Sequence, residues 1–187
     1  TWPLLTFGAG RLARPLALMR GQTERMTRVV EDLLTLSRLE AVDNVPRDET
    51  VDVPSLVAGL VEEGRSLSKG RHTILAEIGA GSLRGAHEEL RTAFSNLVSN
   101  AIRYTPEGGR IMLRWYLDEN GARFAVTDSG IGIAAEHIPR LTERFYRVDR
   151  SRSRETGGTG LGLAIVKHVL LRHDATLEVQ SEIGSGS

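Results

Sequence analysis

Between Met19 and Glu40 the apolar residues recur at helical spacing: Met19, Met26 and Leu33 are seven apart, Val29 and Leu36 likewise, and Val30 and Leu34 widen the stripe. The spacing predicts a bundle or coiled-coil helix. Its other face carries Arg25, Arg28, Glu31, Asp32 and Arg38, and only a short Leu/Ala/Arg-rich stretch precedes it. A stripe of this kind either meets a second chain or docks on the helix's own domain. The polar stretch Ala41 to Thr50, with Pro46, then marks a boundary. It divides the chain into a helical piece (1–42), a linker (43–50) and a domain (51–187).

Beyond the boundary the pattern is mixed. Thr50 to Val53 reads as a short strand, Pro54 suits a first helical position, and Ser55 to Ser68 reads as a helix. His72 to Ile78 and Ser82 to Arg84 are short strand candidates. His87 to Tyr104 is a helix stopped by Thr105-Pro106-Glu107-Gly108-Gly109. Arg110 to Leu117 alternates, with Ile111, Leu113, Trp115 and Leu117 on one face; Asn120-Gly121 makes a turn and Arg123 to Asp128 returns. Ala134 to Phe145 is expected to be helical, a helix runs from about Gly160 to His173, and Thr176 to Ser181 is a late strand. Strands and helices come in runs, which favours an α+β sandwich, helices on one face of a mostly antiparallel sheet, over a doubly wound fold.

Composition narrows the chemistry. With 187 residues, 40% hydrophobic and 26% charged, the chain is long enough for one domain with its own core and a short extra element. No run approaches the roughly 18 apolar residues of a bilayer-spanning helix. The absence of cysteine removes disulfides, thiolate metal sites and cysteine nucleophiles. Twenty-four basic residues balance twenty-four acidic ones, so no overall field draws in nucleic acid or acidic lipid.

Local groupings are more specific. On the helix from His87 to Tyr104, Leu90, Phe94, Leu97 and Ala101 share one sector, and Asn96, Asn100 and Arg103 lie nearly opposite. Two carboxamides and a guanidinium could serve a hard cation and a phosphate, or could simply form a solvated face. Asp128 falls on the same side of its strand as Phe124 and Val126, facing the apolar side of the sheet. With Ser129-Gly130-Ile131-Gly132 behind it, it either accepts from an exocyclic amine such as adenine's or caps the next turn. Gly157-Gly158-Thr159-Gly160-Leu161-Gly162 runs into an apolar helix, the arrangement of a phosphate cradle, yet it lacks a Walker lysine and follows no strand. Six arginines between Arg140 and Arg154 face only Glu143 and Asp149, which suits a loop closing over phosphates.

Taken in order, Asn96-x-x-x-Asn100, Asp128-x-Gly130-x-Gly132, Glu143-Arg-Phe-Tyr-Arg-Val-Asp149 and Gly158-x-Gly160-Leu-Gly162-Leu163 resemble the N, G1, F and G2 boxes of bacterial sensor histidine kinases. Asp32-Leu-Leu-Thr-Leu-Ser-Arg-Leu-Glu40 is similar to the end of their dimerisation hairpin. Val51-Asp-Val-Pro54, Asn96 to Ala101 and His137 to Asp149 are similar to the branch that serves phosphate regulation. The resemblance implies a two-layer GHKL-type ATPase sandwich preceded by part of a dimerisation hairpin. It implies ATP and Mg²⁺ as cofactors and transfer of the γ-phosphoryl group to a histidine, then to a response-regulator aspartate.

Residue by residue, it implies that Asn100 is the Mg²⁺ ligand, Asn96 lies beside the reacting phosphate, Arg103 contacts phosphate and Tyr104 lines the adenine. Asp128 would read the adenine, with Gly130 in its turn and Gly132 against the ring. Phe145 would hinge the lid and Arg147 reach the terminal phosphate, so that Asn96 and Arg147 stand nearest the chemistry. Gly158, Thr159, Gly160, Leu161 and Gly162 would form the collar around the phosphates. The expected partners are a response regulator and a second copy of the chain, with no nucleic acid. The chain, opening on Thr1 and closing on Gly-Ser-Gly-Ser, is expected to be the cytoplasmic portion of a bacterial inner-membrane protein whose anchor lies outside these residues, and to stop before a last strand.

The family's acceptor box is not found; His87-Glu-Glu-Leu-Arg-Thr92 is a poor likeness, so self-phosphorylation by this chain is not expected. A water-activating GHKL ATPase would want a glutamate where Asn96 stands. A nucleotide-binding signalling module without catalysis is the other alternative.

Overall fold

The computed structural model describes residues 10–41, 49–119, 121–148 and 158–187. Helix α1 (Gly10–Ala41) is followed by β1 (Thr50–Asp52), α2 (Val53–Ser68), β2 (Thr73–Ile78), β3 (Ser82–Arg84), α3 (His87–Tyr104), β4 (Arg110–Asp118), β5 (Gly121–Asp128) and α4 (Gly162–Arg172). The start and stop signals in the sequence account for the ends. Asp52 caps α2, its Oδ1 accepting from Ser55 N at 3.5 Å and its Oδ2 from Ser55 Oγ at 2.5 Å. Lys69 closes the helix in the left-handed region, at φ 53°. Thr105, extended before Pro106, ends α3.

Two sheets form. β1 pairs antiparallel with β3, and a mixed sheet runs β2-β4-β5, parallel between β2 and β4 and antiparallel between β4 and β5. The alternation in β4 buries Ile111, Leu113 and Trp115 on one face, and α2 and α3 cover that face. Phe94 of α3 stacks on Phe124 of β5 with ring centroids 4.1 Å apart. α4 packs against α3, and the C-terminal end of α1 packs against α4, so that Leu36 and Leu39 join the same core. This is the expected α+β arrangement with helices on one face, but the three-stranded sheet is mixed, since β2 runs parallel to β4, and not mostly antiparallel.

Two expected elements are absent, each for a physical reason. Ala134 to Phe145 is not a continuous helix but a string of i to i+3 turns around a short 3₁₀ segment, Ile138–Arg140. Pro139 offers no N–H to an α-helical ladder, and Phe145 turns left-handed at φ 62°. Thr176 to Ser181 forms no strand. Leu177 packs on the core and Glu178 reaches Arg123 of β5 at 3.6 Å, but alternation alone does not make a ladder without a backbone partner. On β5 the partner is instead Ser187, which exchanges both backbone bonds with Asp128, at 2.8 and 3.3 Å. Asn120 of the hairpin turn and the arginine run over 149–157 lie outside the described residues.

Candidate functional site

The polar stripe of α3 is not a solvated face. Asn96, Asn100 and Arg103 are all partly buried, along the side of α3 that meets the glycine-rich entry to α4. Asn96 donates Nδ2–H to the Thr92 carbonyl at 2.9 Å. That bond leaves its Oδ1 facing Gly162, where an added Cβ would lie 2.5 Å from it. One turn on, Arg103 Nη1 donates to Asn100 Oδ1 at 3.4 Å. Burial holds the Arg103 guanidinium below its ordinary pKa, with the Tyr104 and Asp32 side chains partly offsetting it. A Cβ on Gly158 would lie 3.6 Å from Arg103 Nη1 and 3.5 Å from the Tyr104 hydroxyl. The collar therefore lies directly against the N-box side chains.

The collar is shaped by its glycines at few points. Gly160 has φ 76°, and a side chain there would press on the Phe145 backbone at 2.9 Å. Phe145 N donates to the Gly160 carbonyl at 2.8 Å, so the F-box residue expected as a hinge is clipped to the collar while its ring is more than half exposed. Its left-handed backbone is a strained choice for phenylalanine and is held by that clip. Arg147 is half-buried two residues further along. Leu161 is fully buried and anchors the start of α4, and its N–H donates to Thr159 Oγ1 at 3.2 Å. No side chain caps α4 from its own N-cap position, leaving the positive end of the helix dipole turned to this site.

The G1 turn is fastened to the end of the same helix. Asp128, opposite Ile111 on β4, faces the helical layer and accepts from Gly130 N at 2.7 Å through Oδ1. Burial raises its carboxyl above the ordinary range, and backbone bonds from Gly130 and Ser187 partly offset that. Gly130 is wedged against the Tyr104 carbonyl, where a Cβ would come within 2.7 Å, and Ile131 N donates to that carbonyl at 3.3 Å. Gly132, at φ 69°, passes so close to Glu182 that any side chain would run into its carbonyl. Asp128, Gly130 and Tyr104 thus converge at one end of α3, and Asn96, Asn100, Arg103 and the collar line its flank.

One functional candidate was not visible in the sequence. Thr159 Oγ1 donates to Asp32 Oδ2 at 2.6 Å, which brings the polar face of α1 into the collar. Glu40, at the end of α1, pairs with Arg144 and lies 3.4 Å from His168. Nothing local marks Asp32: it shares its face with residues that read as solvated. His87 sits exposed at the start of α3, on the catalytic layer and not on α1, beside Glu88 at 3.1 Å. Among the described residues no group of His, Asp or Glu could hold a metal by itself. What the site offers is carboxamide oxygens, a partly buried guanidinium and backbone amides at a helix start, a donor set for a polyanion that brings its own cation.

Residues 85–187 match the family described as "Histidine kinase-, DNA gyrase B-, and HSP90-like ATPase". The chain is 52% identical over 95% of its length to the phosphate regulon sensor protein PhoR of Pseudomonas aeruginosa, of which it covers 40%. It is 39% identical over 90% of its length to the sensor-like histidine kinase SenX3 of Mycolicibacterium smegmatis, covering 44% of that protein. The chain therefore spans about two fifths of the length of these curated relatives. Among solved structures, the mycobacterial sensor histidine kinase MprB superposes with a TM-score of 0.60 at 31% identity, over 67% of this chain and 80% of that one. Full-length ShkA, in complex with AMPPNP, gives 0.73 at 25% identity, over 92% of this chain and 36% of that one. The family match spans more than half of the chain and includes all four boxes, so the protein belongs to the histidine kinase-, DNA gyrase B- and HSP90-like ATPases.

Proposed function

We propose that this chain is the Mg·ATP-binding catalytic region of a PhoR-like sensor histidine kinase, preceded over 1–42 by part of the dimerisation hairpin and over 43–50 by a linker. The observation that carries the reading is the convergence of the N-box stripe, the G1 turn and the collar along the flank and C-terminal end of α3. Asp128 accepts from the adenine amine beside Gly130, with Gly132 and Tyr104 flanking the ring. Thr159 and the backbone amides of Gly158, Gly160, Leu161 and Gly162 receive the phosphates, and Arg103 supplies a cation already desolvated. Asn100 offers its Oδ1 to Mg²⁺, a hard-oxygen donor of the kind this ion shares with phosphates. When bound, the ion would be held by Asn100 together with the phosphates and would supply neutralisation of their charge during phosphoryl transfer.

The chain's own residues align and exclude. Asn96, beside Gly162, positions the terminal phosphate, and Arg147 approaches it from the F segment that Phe145 hinges. No side chain here acts as the nucleophile. The acceptor is a histidine on a dimerisation helix, and the phosphoryl group passes from it to a response-regulator aspartate. The likeness to PhoR supports phosphate signalling as the context. α1 supports a homodimer, since Met19, Met26 and Val30 leave more than half of their surface exposed. No helix among the described residues is long and apolar enough to cross a membrane, so membrane attachment would fall to other segments of the parent.

Calorimetry with a non-hydrolysable ATP analogue tests the reading. Binding is expected to weaken when Mg²⁺ is withheld, and Asn100→Ala is expected to abolish that dependence on the ion. Equal metal dependence in the two proteins would remove Asn100 from the site, and an absence of nucleotide binding at millimolar concentration would refute the assignment altogether.

A further inference from the structure

We propose that Asp32 is a latch displaced by the triphosphate: its carboxylate engages the collar where a phosphate would and keeps α1 docked until nucleotide arrives. The inference rests on the nucleotide site proposed above, and goes beyond it by assigning a role to the preceding helix.

Its basis is the company Asp32 keeps. Thr159 Oγ1 donates to Asp32 Oδ2 at 2.6 Å and accepts from Leu161 N–H at 3.2 Å, so one hydroxyl links the carboxylate to an amide at the start of α4. The charges of Arg103 and Arg28 favour the ionised form of Asp32, and that of Glu31 opposes it. An anionic oxygen bonded to a collar hydroxyl, with guanidinium charge nearby and a helix start one hydrogen bond away, sits in surroundings suited to a phosphate. A triphosphate received at Thr159 and the Asp32 carboxylate therefore compete for the same hydroxyl, and like charge opposes their occupying the collar together. Burial is the largest influence on Asp32 and raises its carboxyl, so its ionised form is held at some cost and gains hydration when it leaves.

Other contacts of α1 among the described residues hold its C-terminal end. Leu36 and Leu39 are buried, Arg172 Nη1 donates to the Leu39 carbonyl at 3.0 Å, and Glu40 pairs with Arg144. Arg144 immediately precedes Phe145, which is itself clipped to Gly160. Release of Asp32 would thus free the end of α1 that faces the nucleotide while its C-terminal end keeps an apolar anchor. The helix could then change its angle to the catalytic layer without separating from it.

The test compares wild type, Asp32→Ala and the shape-conserving Asp32→Asn by calorimetry, using the Mg²⁺ complex of a non-hydrolysable ATP analogue and, separately, adenosine. Removing one competing hydrogen bond of about 1 kcal/mol is expected to tighten the triphosphate about fivefold in Asp32→Ala. Asp32→Asn is expected to move in the same direction, and adenosine, which has no phosphate, to bind alike in all three. In the wild type, amide exchange across residues 28–36 is expected to quicken on adding the triphosphate and not on adding adenosine. Unchanged or weaker triphosphate binding in Asp32→Ala would overturn the latch alone and leave the nucleotide site standing. An equal gain for adenosine would overturn it too, and a wild type that binds neither ligand would overturn the site and the latch together.

Discussion

Gly162→Ala separates what the collar does for folding from what it does for the nucleotide. Gly162 opens α4, where alanine is the better helix former by up to about 1 kcal/mol. The added Cβ would lie 2.5 Å from Asn96 Oδ1, too close to remain, but the obstacle is the free end of a side chain and not backbone. Asn96 can rotate away by giving up its 2.9 Å bond to the Thr92 carbonyl, a loss of about 1 kcal/mol. Gain and loss nearly cancel, so urea unfolding followed by circular dichroism is expected to place the variant within about 1 kcal/mol of wild type. Nucleotide affinity has no such offset. A carboxamide turned out of the collar forfeits a hydrogen bond to a charged oxygen, worth about 1.5–3 kcal/mol, or roughly 10- to 150-fold in Kd. If Asn96 carries the whole effect, adding Gly162→Ala to Asn96→Ala should cost nothing further. A stability loss above about 2 kcal/mol would mean that the backbone has moved. Unchanged affinity, or full additivity in the double variant, would refute the placement of Asn96 at the phosphates.

Arg172 ties three elements together: it donates to both oxygens of Glu89 on α3, each at 3.0 Å, and to the Leu39 carbonyl of α1. Its side chain is 12% exposed and that of Glu89 19%. Arg172→Leu, which strands the carboxylate, is expected to cost about 3 kcal/mol by urea unfolding, and Glu89→Gln in the same chain to return part of it; a loss below about 1 kcal/mol would show that the pair is effectively solvated. For Asp128 the sign follows from burial. Its folded-state pKa lies above the ordinary value, so its contribution to stability is greatest below that value and is lost as pH rises through the folded pKa. At neutral pH, Asp128→Asn is therefore expected to be at least as stable as wild type, yet to bind nucleotide more weakly. The affinity gap between the two should close on acidification, with a midpoint above 3.8; a gap that persists at lower pH would exclude the carboxylate as the amine acceptor.

The elements legible in the sequence were those whose limits are fixed within a few residues of themselves. α3 runs from His87 to Tyr104 as expected because its apolar sector is regular and Pro106 ends it. Asp128 pointed inward as the alternation in β5 required. Ala134 to Phe145 misled because its apolar spacing resembles a helix while Pro139 removes the N–H that the helix would need. Thr176 to Ser181 misled because a strand is a property of two segments, and the pattern belongs to one.

α1 shows most clearly where local reading ends. Its heptad stripe treats Met26 and Leu36 alike, yet Met26 is 68% exposed and Leu36 only 1%. The difference arises from α4, which meets only the C-terminal part of the helix, and the sequence of α1 contains no record of where that contact begins. Of the two readings of the stripe, docking on its own domain describes the C-terminal end of the helix, and the rest of the stripe stays open to pairing with a second chain. Leu36 and Leu39 satisfy the first, while Met19, Met26 and Val30 remain uncovered for the second. The same docking turns the polar face so that Asp32 meets Thr159. A residue that looks solvated in sequence thereby becomes a hydrogen-bonded contact from α1 to the collar.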